Sequence, residues 1–159
     1  FTGLGAPHWK PEARAALFNM TRDSGKAEIV RAALEAVSLQ TDDLLRAIND
    51  DMAHAGLAVP PRLRVDGGMV ANDWFVQNLA DLCACPIDRP EVIETTAAGA
   101  AMLAMVKLGW YDSAADFAAG WHLDAAFEPS MPEGRRAHKQ SAWRAALEPI
   151  LRGSEPSDN

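Results

Sequence analysis

The segment Arg62-Leu63-Arg64-Val65-Asp66 alternates polar and apolar side chains and then stops at Gly67-Gly68. Period-two alternation predicts a strand over Arg62 to Asp66, and paired glycines end it in a turn. Asn72 or Asp73 follows as an N-cap, with Trp74, Phe75, Leu79 and Leu82 placed to face inward from the next helix. A strand that hands over to a helix through a glycine turn is the repeating unit of parallel α/β folds.

The flanking pattern agrees. From Lys26 to about Ala55, apolar residues including Val30, Leu34, Val37, Leu44, Ile48 and Met52 recur at steps of three and four, which predicts a long amphipathic helix. Ser24 is its expected N-cap, and Gly56 with Pro60-Pro61 ends it. Residues 1–14 read as loop, and Pro86 to Pro90 as extended chain. Thr95 or Thr96 is placed to cap a helix from Ala97 to about Lys107, and Asp112 a short one reaching Ala119. Residues 120–134 read as irregular, with Phe127-Glu128-Pro129 extended, before a last helix from about Arg135 to Leu151 that turns Trp143, Leu147 and Ile150 to one side. The order helix, strand, helix, strand, helix predicts parallel α/β units in one domain over 1–152, followed by a polar tail over 153–159.

Charge and cysteine content narrow the partners. Fifteen basic against 22 acidic residues give a net charge of −7, which argues against a nucleic-acid partner held by phosphate electrostatics. The longest charge-free run, Thr95 to Val106, has twelve residues. A membrane span needs about 20, so no membrane partner is expected. Cys83 and Cys85 cannot build a disulfide framework, which points to a reducing, cytoplasmic setting. Their one-residue gap and the scattered histidines do not match metal-ligand spacing, so no metal site is assigned. Cys83, ending an apolar helix face, reads as a buried small hydrophobe.

Chemistry concentrates at the glycine turn. Without a Cβ, Gly67 and Gly68 let a flat or anionic ligand approach the backbone, and the helix start beside Asn72 offers free N–H groups. Ligands of open α/β sheets sit at the carboxyl ends of strands. Gly67, Gly68 and Asn72 are therefore the candidate nucleotide or phosphate site; the alternative is a tight strand-to-helix turn with no ligand. The pattern is not GxGxxG and no Walker lysine follows. Asp66 is the one carboxylate well placed for function, while Asp42-Asp43 and Asp50-Asp51 fall on or beside the expected solvent face of the long helix. Ala97-Ala98-Gly99-Ala100-Ala101 carries small side chains that suit close approach of a neighbouring element. No catalytic residue is assigned.

Several phrases in order also resemble one family. They are Phe1-Thr2-Gly3-Leu4-Gly5-Ala6-Pro7-His8-Trp9, where Tyr is usual in place of His8, and Arg64-Val65-Asp66-Gly67-Gly68-Met69-Val70-Ala71-Asn72. Arg89-Pro90-Glu91-Val92 and Glu94-Thr95-Thr96-Ala97-Ala98-Gly99-Ala100-Ala101 continue the series. A signature from Ala15 through Met20 to Glu35 also matches, except that Asn19 stands where Gly is normal. The segment resembles the carboxyl-terminal part of the FGGY family of carbohydrate kinases, in the form its glycerol kinases carry.

The resemblance implies an α/β fold of the actin-like, ribonuclease-H-like ATPase type, here incomplete and amounting to about the last two thirds of the second domain. It implies that Gly68 and Asn72 contact the adenine nucleotide, with Gly67 beside them. ATP, Mg²⁺ and glycerol are then the expected cofactors and partners of a longer parent that makes glycerol 3-phosphate. The resemblance implies that the catalytic aspartate, glycerol contacts and magnesium ligands precede Phe1, so the isolated chain is expected to phosphorylate nothing. It is also expected to expose an apolar sheet edge and helix surface and to form a homo-oligomer. Another FGGY polyol or sugar kinase, or an inactive nucleotide- or partner-binding remnant, are the alternatives.

Overall fold

A computed structural model of the chain describes residues 3–153. The elements are α1 (Lys26–His54), β1 (Leu63–Arg64), a 3-10 turn (Gly68–Ala71), α2 (Asp73–Cys83), β2 (Ile87–Pro90), α3 (Thr95–Lys107), α4 (Ala114–Ala118), β3 (Leu123–Phe127) and α5 (Glu133–Gly153). Phe1, Thr2 and residues 154–159 of the expected polar tail lie outside the described residues, and Gly153 closes α5.

The sheet is mixed, in the order β1-β2-β3. β1 and β2 run parallel, with Leu63 opposite Ile87 and Arg64 opposite Asp88. β3 joins β2 antiparallel, pairing Phe127 with Ile87 and Ala125 with Arg89, and the register shifts between Arg89 and Pro90. The shift falls at a residue with no N–H to give the ladder. This corrects the expectation of a purely parallel layer and of irregular chain through 120–134. Leu123-Asp124-Ala125-Ala126-Phe127 carries little intrinsic strand signal, and β2 supplies the pairing that makes it a strand. β1 is also shorter than Arg62 to Asp66, although Val65 still donates its N–H to the Asp88 carbonyl at 3.2 Å.

The core lies where α2 covers the sheet. Phe75, Val76, Leu79, Ala80 and Ile87 cluster with Val70, and Leu34, Leu63, Val65 and Phe127 close around them. Trp74 departs from the expected inward set and is 40% exposed. It stands one step off the Phe75–Leu79–Leu82 stripe, in the first turn of α2, with the Arg31 guanidinium 5.3 Å from its ring centre.

α5 crosses α1 and α2 and is tied to both by polar contacts. Gln140 Nε2 donates to Asp42 Oδ2 and to the Leu82 carbonyl, each at 3.0 Å. Trp143 Nε1 donates to Asp43 Oδ2 at 2.7 Å. Asp42 is therefore buried rather than solvated, contrary to the expectation for this side of α1; burial pushes its carboxyl up, while Arg46 and Gln140 oppose the shift. Asp50 and Asp51 are exposed, as expected. Asp81, at the far end of α2, accepts from the backbone N–H groups of Ser130 at 2.7 Å and Met131 at 3.1 Å, and so anchors the connection from β3 to α5.

Several caps differ from expectation. Gly25, not Ser24, caps α1, its N–H donating to the Glu28 carboxylate at 2.8 Å, while Ser24 Oγ accepts from Thr21 N. Ser113, not Asp112, caps α4 through Asp116 N. Glu94, not Thr95 or Thr96, precedes α3, with no side-chain cap, and the Thr95 hydroxyl donates to Asp66. Asn19 has φ +60, in the left-handed region that glycine favours and asparagine tolerates, which accounts for Asn where the resembling sequences carry Gly.

Candidate functional site

The carboxyl end of β1 is held by a short series of backbone bonds. Past Val65, the Gly67 N–H donates to the Ile93 carbonyl at 2.8 Å, fixing the turn against the connection from β2 to α3. Gly67 sits at φ +89, a conformation that L side chains rarely adopt. Its carbonyl accepts from Val70 N at 3.1 Å, starting the 3-10 turn. Asn72 then caps α2, its Oδ1 accepting from Phe75 N at 3.3 Å. One strand–turn–helix corner thus brings Gly67, Gly68 and Asn72 together.

Gly68 differs from Gly67 in kind. Its φ is ordinary, and a Cβ built on it meets no atom within 4 Å. The fold therefore does not require glycine at 68 for conformation or internal packing. Glycine at 68 leaves that side of the turn without a side chain. That is the property a site for a nucleotide needs, so the residues present fit one.

Two side chains brace this corner. Asp66 accepts from the Thr95 hydroxyl, so its carboxylate ties the end of β1 to the start of α3. Arg89 reaches from β2 under the turn: one terminal nitrogen donates to the Val70 carbonyl at 2.8 Å and to Asp73 at 2.7 Å, and Nε donates to Asp124 at 2.7 Å. The bond to Asp73 and, after the opposing cost of desolvation, the bond to Asp124 hold the Arg89 proton more firmly than usual. In the sequence Arg89 stands only within the extended Pro86 to Pro90 segment and a family phrase. Its bracing role depends on the β1–β2 register, and no local pattern shows that register.

Beside Asn72 the first turns of α1 and α2 frame an open groove of about 440 Å³. Val30, Leu34 and the Trp74 ring give it apolar walls, and Lys26, Arg31 and Asn72 supply polar atoms. Arg31 is also bonded to Glu35 at 2.9 Å.

Among the described residues no group of three or more His, Cys, Asp or Glu side chains could hold a metal ion. Burial pushes the Cys83 thiol up to about 12, so it stays protonated and hydrophobe-like. No described helix is long and apolar enough to cross a membrane.

Comparison with known proteins places this geometry. Residues 1–108 match the model of the FGGY family of carbohydrate kinases, C-terminal domain. Glycerol kinase of Rhizobium meliloti (strain 1021) is 52% identical over 151 residues, covering 95% of this chain and 30% of that protein. Glycerol kinase of Cereibacter sphaeroides (strain ATCC 17025) is 51% identical over the same length and share. The chain thus spans about 30% of the length of the curated relatives it matches. Among solved structures, Plasmodium falciparum glycerol kinase with ADP superposes with a TM-score of 0.77 at 34% identity, over 95% of this chain and 29% of that one. Gluconate kinase from Lactobacillus acidophilus shares the fold, with a TM-score of 0.66 at 20% identity over 95% of this chain and 29% of its own. With the sheet corner, the covering helices and these likenesses together, the chain belongs to the FGGY family of carbohydrate kinases and forms part of its actin-like, ribonuclease-H-like carboxyl-terminal domain.

Proposed function

We propose that this chain is the nucleotide-holding part of an ATP-dependent glycerol kinase that makes glycerol 3-phosphate. The observation that carries the reading is the turn at Gly67-Gly68: Gly68 keeps a face open that the fold does not otherwise need open, beside Asn72. The strong likeness to glycerol kinases supports the choice of substrate.

In this reading Gly68 lets the nucleotide lie against the backbone, Asn72 contacts it, and Gly67 shapes the turn. Arg89 and Asp66 hold the corner rigid. A side chain from another part of the parent takes the proton from a terminal hydroxyl of glycerol. The hydroxyl oxygen then forms a bond to the γ-phosphorus as the bridging bond to the β-phosphate breaks and ADP leaves. Residues outside this chain would hold a magnesium ion, which would offset phosphate charge. Phosphoryl transfer depends mainly on positioning and charge stabilisation, so this chain contributes by fixing one end of the nucleotide. The parent is proposed to work in the cytoplasm as a homo-oligomer. Leu103 and Leu108, each 68% exposed, and Trp110, 72% exposed, offer apolar surface for association.

Gly68→Val in the full-length protein tests the site. Because a Cβ at 68 meets no atom within 4 Å and φ is ordinary, the variant is expected to fold. The KM for ATP should rise at least ~10-fold, about 1.4 kcal/mol of lost binding, with the KM for glycerol little changed. An unchanged KM for ATP in a folded Gly68→Val protein would remove the nucleotide from this turn. Gly67→Val serves as the contrast, since φ +89 predicts lost stability there whatever binds.

A further inference from the structure

A second cavity lies between the loop at Leu4–Lys10, the middle of α1 and the last turns of α5. It measures about 680 Å³ and includes His8, Lys10, Asp43, Arg144, Glu148 and Arg152 in its lining. Asp43 follows Arg31 by twelve residues on α1. At 1.5 Å per residue that is about 18 Å along the helix from the groove beside Asn72. The two cavities share no lining residue.

The charges in this cavity do not cancel. Asp43 Oδ2 already accepts from Trp143 Nε1 at 2.7 Å and faces His8 Nε2 at 3.3 Å. Glu148 is taken by Arg152. Lys10 and Arg144 have no carboxylate partner among the described residues, yet both line this one space. Lys10, Arg144 and Arg152 against Asp43 and Glu148 leave one positive charge in excess here, in a chain of net charge −7. Ser141 adds a hydroxyl, and Leu147 and Leu151 add an apolar wall.

We infer that this cavity binds a small molecule carrying a phosphate monoester. The planar fork of Arg144 suits two phosphate oxygens, and Lys10 adds a point charge. Ser141 can donate to a third oxygen. The Leu147–Leu151 wall takes the carbon part of the molecule, so an ester with an apolar group binds more tightly than inorganic phosphate. The site is separate from the nucleotide turn and does not depend on it.

Titration calorimetry on the full-length protein tests this, with inorganic phosphate and phenyl phosphate at matched ionic strength. Phenyl phosphate should bind with Kd below about 5 mM, several-fold tighter than inorganic phosphate. The double variant Lys10→Gln/Arg144→Gln should weaken it at least ~10-fold, and Lys10→Arg should retain it. Gly68→Val, which obstructs the nucleotide turn, should leave it unchanged. No binding to the native protein, or equal binding to the double variant, would overturn the inference. Loss of binding in Gly68→Val would also overturn it, because the phosphate would then sit at the nucleotide turn. If the double variant does not fold, Leu151→Ser decides: it should erase the preference for phenyl over inorganic phosphate, and an undiminished preference would overturn the inference.

Discussion

α2 and α3 both follow a strand of the same sheet, yet they are held in opposite ways. Seven of the eleven residues of α2 are buried, from Phe75 to Leu82. None of the thirteen residues of α3 is buried, although its mean hydropathy is the higher of the two, and Leu103 stands 68% exposed. Among the described elements α3 has α4 as its main neighbour. Amphipathic spacing gave α2 a face to bury against the sheet. α3 is apolar on every side and has no such preferred face. The directed pattern of α2 finds its partner within the chain, but that of α1 does so only in part, since Val30, Val37, Leu44 and Ile48 of its stripe stay exposed.

The largest expected effect follows from that contrast. Leu82→Ala should cost about 3 kcal/mol, because it empties a fully buried position under α5. Leu103→Ala should stay within about 0.5 kcal/mol. Urea unfolding of both variants measures the difference, and equal losses would show that α3 is packed as firmly as α2.

The next effect probes the corner between the two helices. Arg89→Gln removes bonds to the Val70 carbonyl, Asp73 and Asp124. It should cost about 2 kcal/mol and speed amide exchange over residues 67–72. Slow exchange in the variant would mean that the turn is rigid without its brace.

The smallest effect concerns the clamp between α1 and α5. Burial pushes the Glu35 carboxyl up, but bonds from Lys139 at 2.7 Å and Arg31 at 2.9 Å outweigh it and leave the group below its usual value. A lowered folded value stabilises the protein above the unfolded pKa of about 4.3, and that contribution is lost as pH falls through the folded value. Lys139→Met should therefore cost about 1 kcal/mol at pH 7, and the gap from the native protein should close toward about pH 3. A gap of constant size would assign the effect to packing of the lysine stem.

Much of the chain was legible as local pattern. The long helix α1, a strand before Gly67-Gly68 (read longer than the observed Leu63–Arg64), a cap at Asn72 or Asp73 and most of the buried stripe of α2 declare themselves within a few residues, since helix period, turn chemistry and capping are local physics. The candidate site was legible for the same reason: Gly67, Gly68 and Asn72 lie within six positions of one another. The caps at Gly25 and Ser113 were missed because several polar residues compete at each helix start, and contacts in space select among them.

By itself the sequence determined where the chain turns, which helix has a face to bury, and the family phrases that carry the nucleotide reading. Only the tertiary structure decided that β3 runs antiparallel, that Asp42 is buried beneath Gln140, that Arg89 props the glycine turn, and that Lys10 and Arg144 share a cavity. The partners in these pairs stand between 19 and 134 positions apart. Their meeting depends on sheet register and on α5 crossing α1, and no window of neighbouring residues encodes either.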